Sequence, residues 1–193
     1  MHYCIHLFTK ALPTKNEIQS ILSPYNSEDL YTDEEGNEKE IKEYPPFTWD
    51  WWQIGGRYQG RLKLKVDETD TSYNWRFYAK EPREGRLFHS LLLSRIREHF
   101  PSWEANEEDY FGYLGYLEDN PYIRVDGAKI ADLLNATAEE LECYGFVDIE
   151  GTAYSRSRWN GEHFEENADF DDQYRKKLHE RSDSFLTVID IHD

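Results

Sequence analysis

The sequence predicts one α+β domain over residues 1–193, with helices packed on a mixed or antiparallel sheet and a ferredoxin-like core as one compatible arrangement. Three observations lead there. Segments of alternating apolar character stand at both ends of the chain, helix-period segments bounded by capping boxes and prolines lie between them, and no regular βαβ alternation, repeat or linker divides the whole. The chain is 38% hydrophobic with a mean hydropathy of −0.88, values close to those of disordered chains. Its 14 Tyr, 10 Phe and 6 Trp nevertheless supply large apolar area in few residues, enough for a core.

Residues 2–9 (HYCIHLFT) read as a strand with His2, Cys4, His6 and Phe8 on one face. A helix follows, because Thr14 and Glu17 stand at capping-box spacing and Ile18, Ile21 and Leu22 form a stripe that runs to Pro24. Residues 27–43 have no periodicity and read as a mobile acidic loop. In RLKLKV, Leu62, Leu64 and Val66 alternate with Arg61, Lys63 and Lys65, the pattern of a half-buried strand; YNWRFYAK after it is expected to close a hairpin. Phe88, Leu92, Ile96 and Phe100 recur every four residues, which predicts a helix over 84–99 ended by Pro101. A short strand at 122–125, a helix at 128–135 and a second capping box at Thr137 and Glu140 are expected next. YGFVDI and TAYSRSRW read as a hairpin about Glu150-Gly151, and Phe170, Tyr174 and Leu178 predict a last helix over 169–181 before the closing strand FLTVIDIH.

The formal charge is −17, and its distribution is uneven. Segments 27–43, 104–119 and 162–172 each carry net −6, so the remaining residues sum to +1. Such a charge opposes adhesion to duplex DNA and to anionic membranes. No apolar run approaches the roughly 18 residues of a membrane span, and the opening residues lack the pattern of a secretory leader. Two cysteines, Cys4 and Cys143, form no C-x-x-C pair and fit a reducing cytoplasm. The acidic segments can serve solubility alone. If they converge, Glu34, Glu35, Glu107, Glu108, Asp109, Glu165, Glu166, Asp171 and Asp172 can stand where phosphates stand in the basic channel of a partner.

Trp49-Asp50-Trp51-Trp52-Gln53-Ile54-Gly55-Gly56-Arg57-Tyr58-Gln59-Gly60 is the most distinctive stretch. Consecutive glycines admit positive φ, so the N–H groups of Gly56 and Arg57 can point into one concavity suited to an anion. Arg57 adds a planar fork, and Trp51, Trp52 or Tyr58 a flat face for a base. Equally, the glycines can make a tight turn capped by Asp50, with the tryptophans filling the core. The stretch is neither a Walker A loop nor a G-x-G-x-x-G fingerprint, and no cofactor is expected.

WDWWQIGGRYQG resembles the W-D-W-x-x-I-G-G-R-[WY]-x-G signature of a family of uncharacterised bacteriophage and prophage proteins. The opening MHYCIHLFTK, the segment YGFVDIEGTAY and the closing FLTVIDIHD are similar to the same family, with Tyr58 where Trp is usual and Ile191 where Cys is usual. The resemblance implies a mobile-element setting in a bacterial cytoplasm and marks Asp50, Gly55, Gly56, Arg57, Asp190 and His192. It implies no activity, since the family has none assigned.

His2, Cys4 and His6 alternate on the first strand, as Asp190 and His192 do on the last. If those strands are neighbours, imidazoles and a carboxylate meet, a geometry that serves a His–Asp general base built on His6, Asp190 and His192, or a divalent metal. The alternative is a core cysteine with histidines hydrogen-bonded at a sheet edge. No H-E-x-x-H or C-x-x-C frame supports a metal, and no G-x-S-x-G supports a serine hydrolase. Arg156, Arg158 and Trp159 can form a small cationic patch or a solvated hairpin edge. Two functional readings follow. In the first, an acidic accessory protein of the anti-CRISPR or anti-restriction type inhibits a host nucleic-acid-handling defence protein. In the second, the Gly-Gly-Arg box and the terminal-strand His and Asp residues form a nucleotide- or RNA-directed site.

Overall fold

A computed structural model describes residues 1–33, 35–65, 77–79, 87–89, 112–117, 120–134, 137 and 141–193. In chain order the elements are β1 (His2–Thr9), α1 (Lys15–Leu22), α2 (Ser27–Tyr31), β2 (Trp51–Ile54), β3 (Leu62–Lys65), β4 (Phe77–Ala79), β5 (Leu87–His89), β6 (Gly112–Leu117), β7 (Asn120–Val125) and β8 (Gly127–Lys129). They continue with β9 (Gly145–Val147), β10 (Ala153–Ser155), β11 (Ser157–Trp159), β12 (Phe164–Glu166), α3 (Phe170–Glu180) and β13 (Phe185–His192). The chain is α+β, and its main sheet is mixed, in the order β10-β9-β1-β13-β2 with β8 also on β13.

The two long apolar strands at the chain ends lie side by side. β1 and β13 pair antiparallel over their whole length, from His2 opposite His192 to Thr9 opposite Phe185. β9 adds parallel to β1, and β10 returns antiparallel to β9. Both faces of this centre are covered, so Ile5, Leu7, Val188, Ile189 and Ile191 are buried; each such side chain contributes roughly 1.5–3 kcal/mol. On the even-numbered face of β1, Tyr174 of α3 meets the rings of His6, Phe8 and Phe146. Phe47 approaches Ile5 on the other face, and Trp52 reaches α1 there by donating its indole N–H to Gln19 at 2.8 Å.

The local signals at α1 and α3 correspond to real elements. Glu17 accepts from the Thr14 backbone N–H at 2.7 Å while the Thr14 hydroxyl accepts from Glu17 N, and Ile18 and Leu22 are buried. Phe170, Tyr174 and Leu178 are the buried stripe of α3. The β9–β10 turn is tied by Asp148, which accepts from the N–H groups of Glu150 and Thr152 and from Lys177 of α3 at 2.6 Å.

Elsewhere long-range pairing overrides local pattern. The helix expected over 84–99 is strand at Leu87–His89, paired with β4; the rest of that segment lies outside the described residues. The helix expected over 128–135 is instead β8 and one 3-10 turn at Ile130–Asp132. β2 covers the β13 edge only as far as Ile189, and Gly127–Lys129 fills the remainder opposite Thr187–Phe185. The basic strand β3 pairs with β7 rather than with the segment after it. Residues 27–31 of the expected acidic loop form α2, capped by Asn26, and Asp33 organises the turn behind it by accepting from Glu35 and Asn37. Glu140 of the second capping box is outside the described residues.

Candidate active site

The Gly-Gly-Arg box begins as β2, antiparallel to the end of β13 with Trp51 opposite His192 and Gln53 opposite Asp190. Past Ile54 the chain leaves the sheet through Gly55 and Gly56, at φ +66° and +51°, into a 3-10 turn over Gly56–Tyr58. Both glycines face buried carboxylates. A Cβ at Gly55 would stand 2.6 Å from Asp126 Cγ, and one at Gly56 would stand 2.4 Å from Asp190 Oδ2. The backbone then binds those carboxylates, with Arg57 N donating to Asp190 Oδ2 at 2.8 Å and Gly60 N donating to Asp126 Oδ1 at 2.5 Å. The concavity expected for an external anion is thus filled by the protein's own aspartates, the arrangement that an N–H nest favours.

Asp190, 1% exposed, has a second partner: its Oδ1 lies 2.8 Å from His2 Nδ1. A carboxylate only accepts, so Nδ1 carries a proton and Nε2 is the nitrogen left for a substrate. Beside it, His192 Nδ1 lies 2.9 Å from Asp50 Oδ1. The two imidazoles contact edge to face with centroids 5.0 Å apart, and Trp51, 45% exposed, meets the His2 ring at 6.1 Å. The Tyr58 hydroxyl donates to the His2 carbonyl at 2.9 Å and steadies that end of β1. The Arg57 side chain is exposed and makes no ion pair among the described residues. The site therefore has two imidazoles, each oriented by a carboxylate, and a flat indole, with the exposed Arg57 on the adjoining turn.

The nominated residues divide accordingly. Asp190, His192, Gly55, Gly56, Arg57, Tyr58 and Trp51 gather at one place, where Gly55, Gly56 and Tyr58 build the scaffold rather than face outward. Trp52 is on the opposite face, against α1. His6 is four residue pairs along the β1–β13 ladder from His2, fully buried, with Nδ1 on the Tyr174 hydroxyl at 2.5 Å and Nε2 near Cys4 Sγ at 3.7 Å. A group sealed in this way cannot reach a substrate, so His2 takes the place proposed for His6. Alternation alone offered His2 and His6 equally; only the depth of the α3 cover separates them. Asp126 had no sequence signal beyond its position before Gly127.

Burial holds His6 at a pKa of about 3, with the Arg61 charge adding to the effect. Native protein therefore refuses a proton that the unfolded chain accepts at about 6.5. Stability from this group is complete above that value and declines as pH falls toward 3, by several kcal/mol on the order-of-magnitude scale. Urea titrations at successive pH values are expected to show this slope in the native protein and a flatter one in His6→Gln. Burial likewise pushes the Cys4 thiol up to about 12, which removes it as a nucleophile at neutral pH.

Of the acidic surface, Glu34, Glu107, Glu108 and Asp109 lie outside the described residues. The first and third acidic segments adjoin, because Tyr44, the residue after the first, meets Tyr31 of the first at 6.4 Å and Phe164 of the third at 5.8 Å. Glu35 and Glu166 are exposed. Glu165 is paired with Arg158 at 2.9 Å, Asp171 with Arg156 at 3.0 Å and Asp172 with Arg175 at 3.2 Å. Among the described residues no helix is long and apolar enough to cross a membrane, and no group of three His, Cys, Asp or Glu side chains is placed to hold a metal ion. Comparison with protein families, curated proteins and solved structures finds no match to this chain.

Proposed function

We propose that the protein is an acid–base phosphodiesterase acting on short single-stranded RNA, with His2 and His192 as the proton-transfer pair. The observation that carries this reading is the pair of contacting imidazoles, each held at Nδ1 by its own carboxylate. One imidazole takes the proton of a ribose 2′-hydroxyl as its oxygen bonds to phosphorus. The other gives a proton to the departing 5′-oxygen, so the P–O5′ bond breaks and a 2′,3′-cyclic phosphate forms. Arg57 offsets the charge on the non-bridging oxygens, and Trp51 supplies a stacking face for a base. The −17 charge repels long polyanions, which selects substrates with few phosphates.

The test is incubation with a short oligoribonucleotide and with its deoxy counterpart. A cyclic-phosphate product from the first and none from the second is expected, since only RNA carries the 2′-hydroxyl; intact RNA would refute the reading. Arg57→Ala is expected to weaken oligonucleotide binding at least about tenfold while leaving the melting temperature unchanged, because the alanine keeps the N–H that holds Asp190.

The inhibitor reading has one observation in its favour, the contact between the first and third acidic segments through Tyr44. Their pairing with arginines leaves fewer carboxylates to imitate phosphates. Salt-sensitive capture of a nucleic-acid-handling defence protein would support that reading, and binding indifferent to salt would remove it.

A further inference from the structure

His2 is also part of the wall of a cleft of about 270 Å³, lined among others by Tyr58, Arg61, Glu142, Cys143 and Arg156. In so acidic a chain its composition is unusual. Arg61 follows the Gly-Gly-Arg box and Arg156 follows β10, yet both guanidiniums converge on one short segment. Arg61 Nη1 donates to the Glu142 carbonyl at 2.9 Å, and Arg156 Nε donates to the next carbonyl, Cys143, at 3.0 Å. Arg61 also lies over the Tyr58 ring at 4.7 Å, and Arg156 over the Phe170 ring at 4.9 Å. These contacts hold both guanidinium planes in place while using only some of their five donors each. One arm of Arg156 goes to Asp171, and among the described residues of the lining the exposed Glu142 supplies the one carboxylate. With Asp171 counted, two guanidiniums stand against two carboxylates, so what the cleft offers an anion is the unused N–H donors of two fixed guanidinium planes rather than a net positive charge.

We propose that this cleft is a second phosphate subsite, so that the preferred substrate carries two phosphates one nucleoside apart, as in an RNA end with a terminal phosphate. The inference rests on the acid–base reading, because His2 is the wall common to both sites. The volume of about 270 Å³ falls just short of the usual small-ligand range, which begins at about 300 Å³, and suits one phosphate with its sugar rather than a longer stretch of chain. A phosphate beside Arg61 places the next phosphodiester toward His2 and His192. The subsite thereby assigns the class of substrate: phosphate-terminated oligoribonucleotides in preference to hydroxyl-terminated ones.

The probes are adenosine 3′,5′-bisphosphate and adenosine 5′-monophosphate, titrated calorimetrically into the full chain. The native protein is expected to bind the bisphosphate at least about tenfold more tightly, Arg61→Gln to lose that ratio, and Glu142→Gln to increase it. The last change runs opposite to any loss of structure, so it separates recognition from destabilisation. Equal affinity for the two probes, or a ratio unchanged in Arg61→Gln, would overturn the subsite. Failure of the two inferences is distinguishable. Bisphosphate preference without RNA cleavage removes the acid–base reading and keeps the subsite, whereas RNA cleavage without that preference does the reverse.

Discussion

Gly56→Ala is expected to be the most destabilising single-methyl change in the described fold. A left-handed φ of +51° costs a non-glycine residue about 1–2 kcal/mol by itself. The new Cβ would also stand 2.4 Å from Asp190 Oδ2 and 2.5 Å from Asp190 Cβ. Asp190 cannot retreat cheaply, since it is buried beneath the turn and bound to His2 and to the Arg57 N–H. Displacing it strands a buried charge, a penalty of about 3–5 kcal/mol. That is a large part of the roughly 5–15 kcal/mol that holds a domain together. Gly151→Ala is the control, because Gly151 has φ +85° with nothing within 4 Å of its would-be Cβ. It should lose only the backbone penalty. Denaturant midpoints for the two variants check this, and equal losses would show that Gly56 serves the turn and not Asp190.

His2→Ala and His192→Ala are each expected to lower kcat for RNA cleavage by about 10²–10⁴-fold, the usual worth of a positioned proton-transfer group. The double variant should lose little more than the worse single one, since the pair acts as a unit. His6→Gln should retain kcat, because His6 is enclosed against Tyr174. So should substitution of His163, exposed on the β11–β12 turn. Unaltered rates in either histidine variant would exclude the pair. A loss confined to KM would assign the imidazoles to binding instead.

Much of the local structure was legible without a fold. The capping box at Thr14 and Glu17, the Phe170–Tyr174–Leu178 stripe and the alternation of the terminal strands are patterns within a dozen residues, and each corresponds to an observed element. Where the pattern and the fold part, a distant strand is the cause. Residues 127–129 are strand because the β13 edge beyond β2 needs a partner, and β3 found β7 about 60 residues on. A hydrophobic stripe cannot report either event, since the competing hydrogen bonds come from elsewhere in the chain.

At the site, sequence by itself supplied the residue types, two histidines and an aspartate on alternating terminal strands, and the glycine pair that permits a left-handed turn. Tertiary structure decided which imidazole meets which carboxylate. The register sets His2 opposite His192, and the turn presses Gly56 onto Asp190, 188 residues from the histidine it binds. α3 closes over His6 and leaves His2 at the rim. Residue type follows from local chemistry, but depth and partnership depend on which strands share an edge and what lies across their faces. Those are properties of packing between segments far apart in the chain.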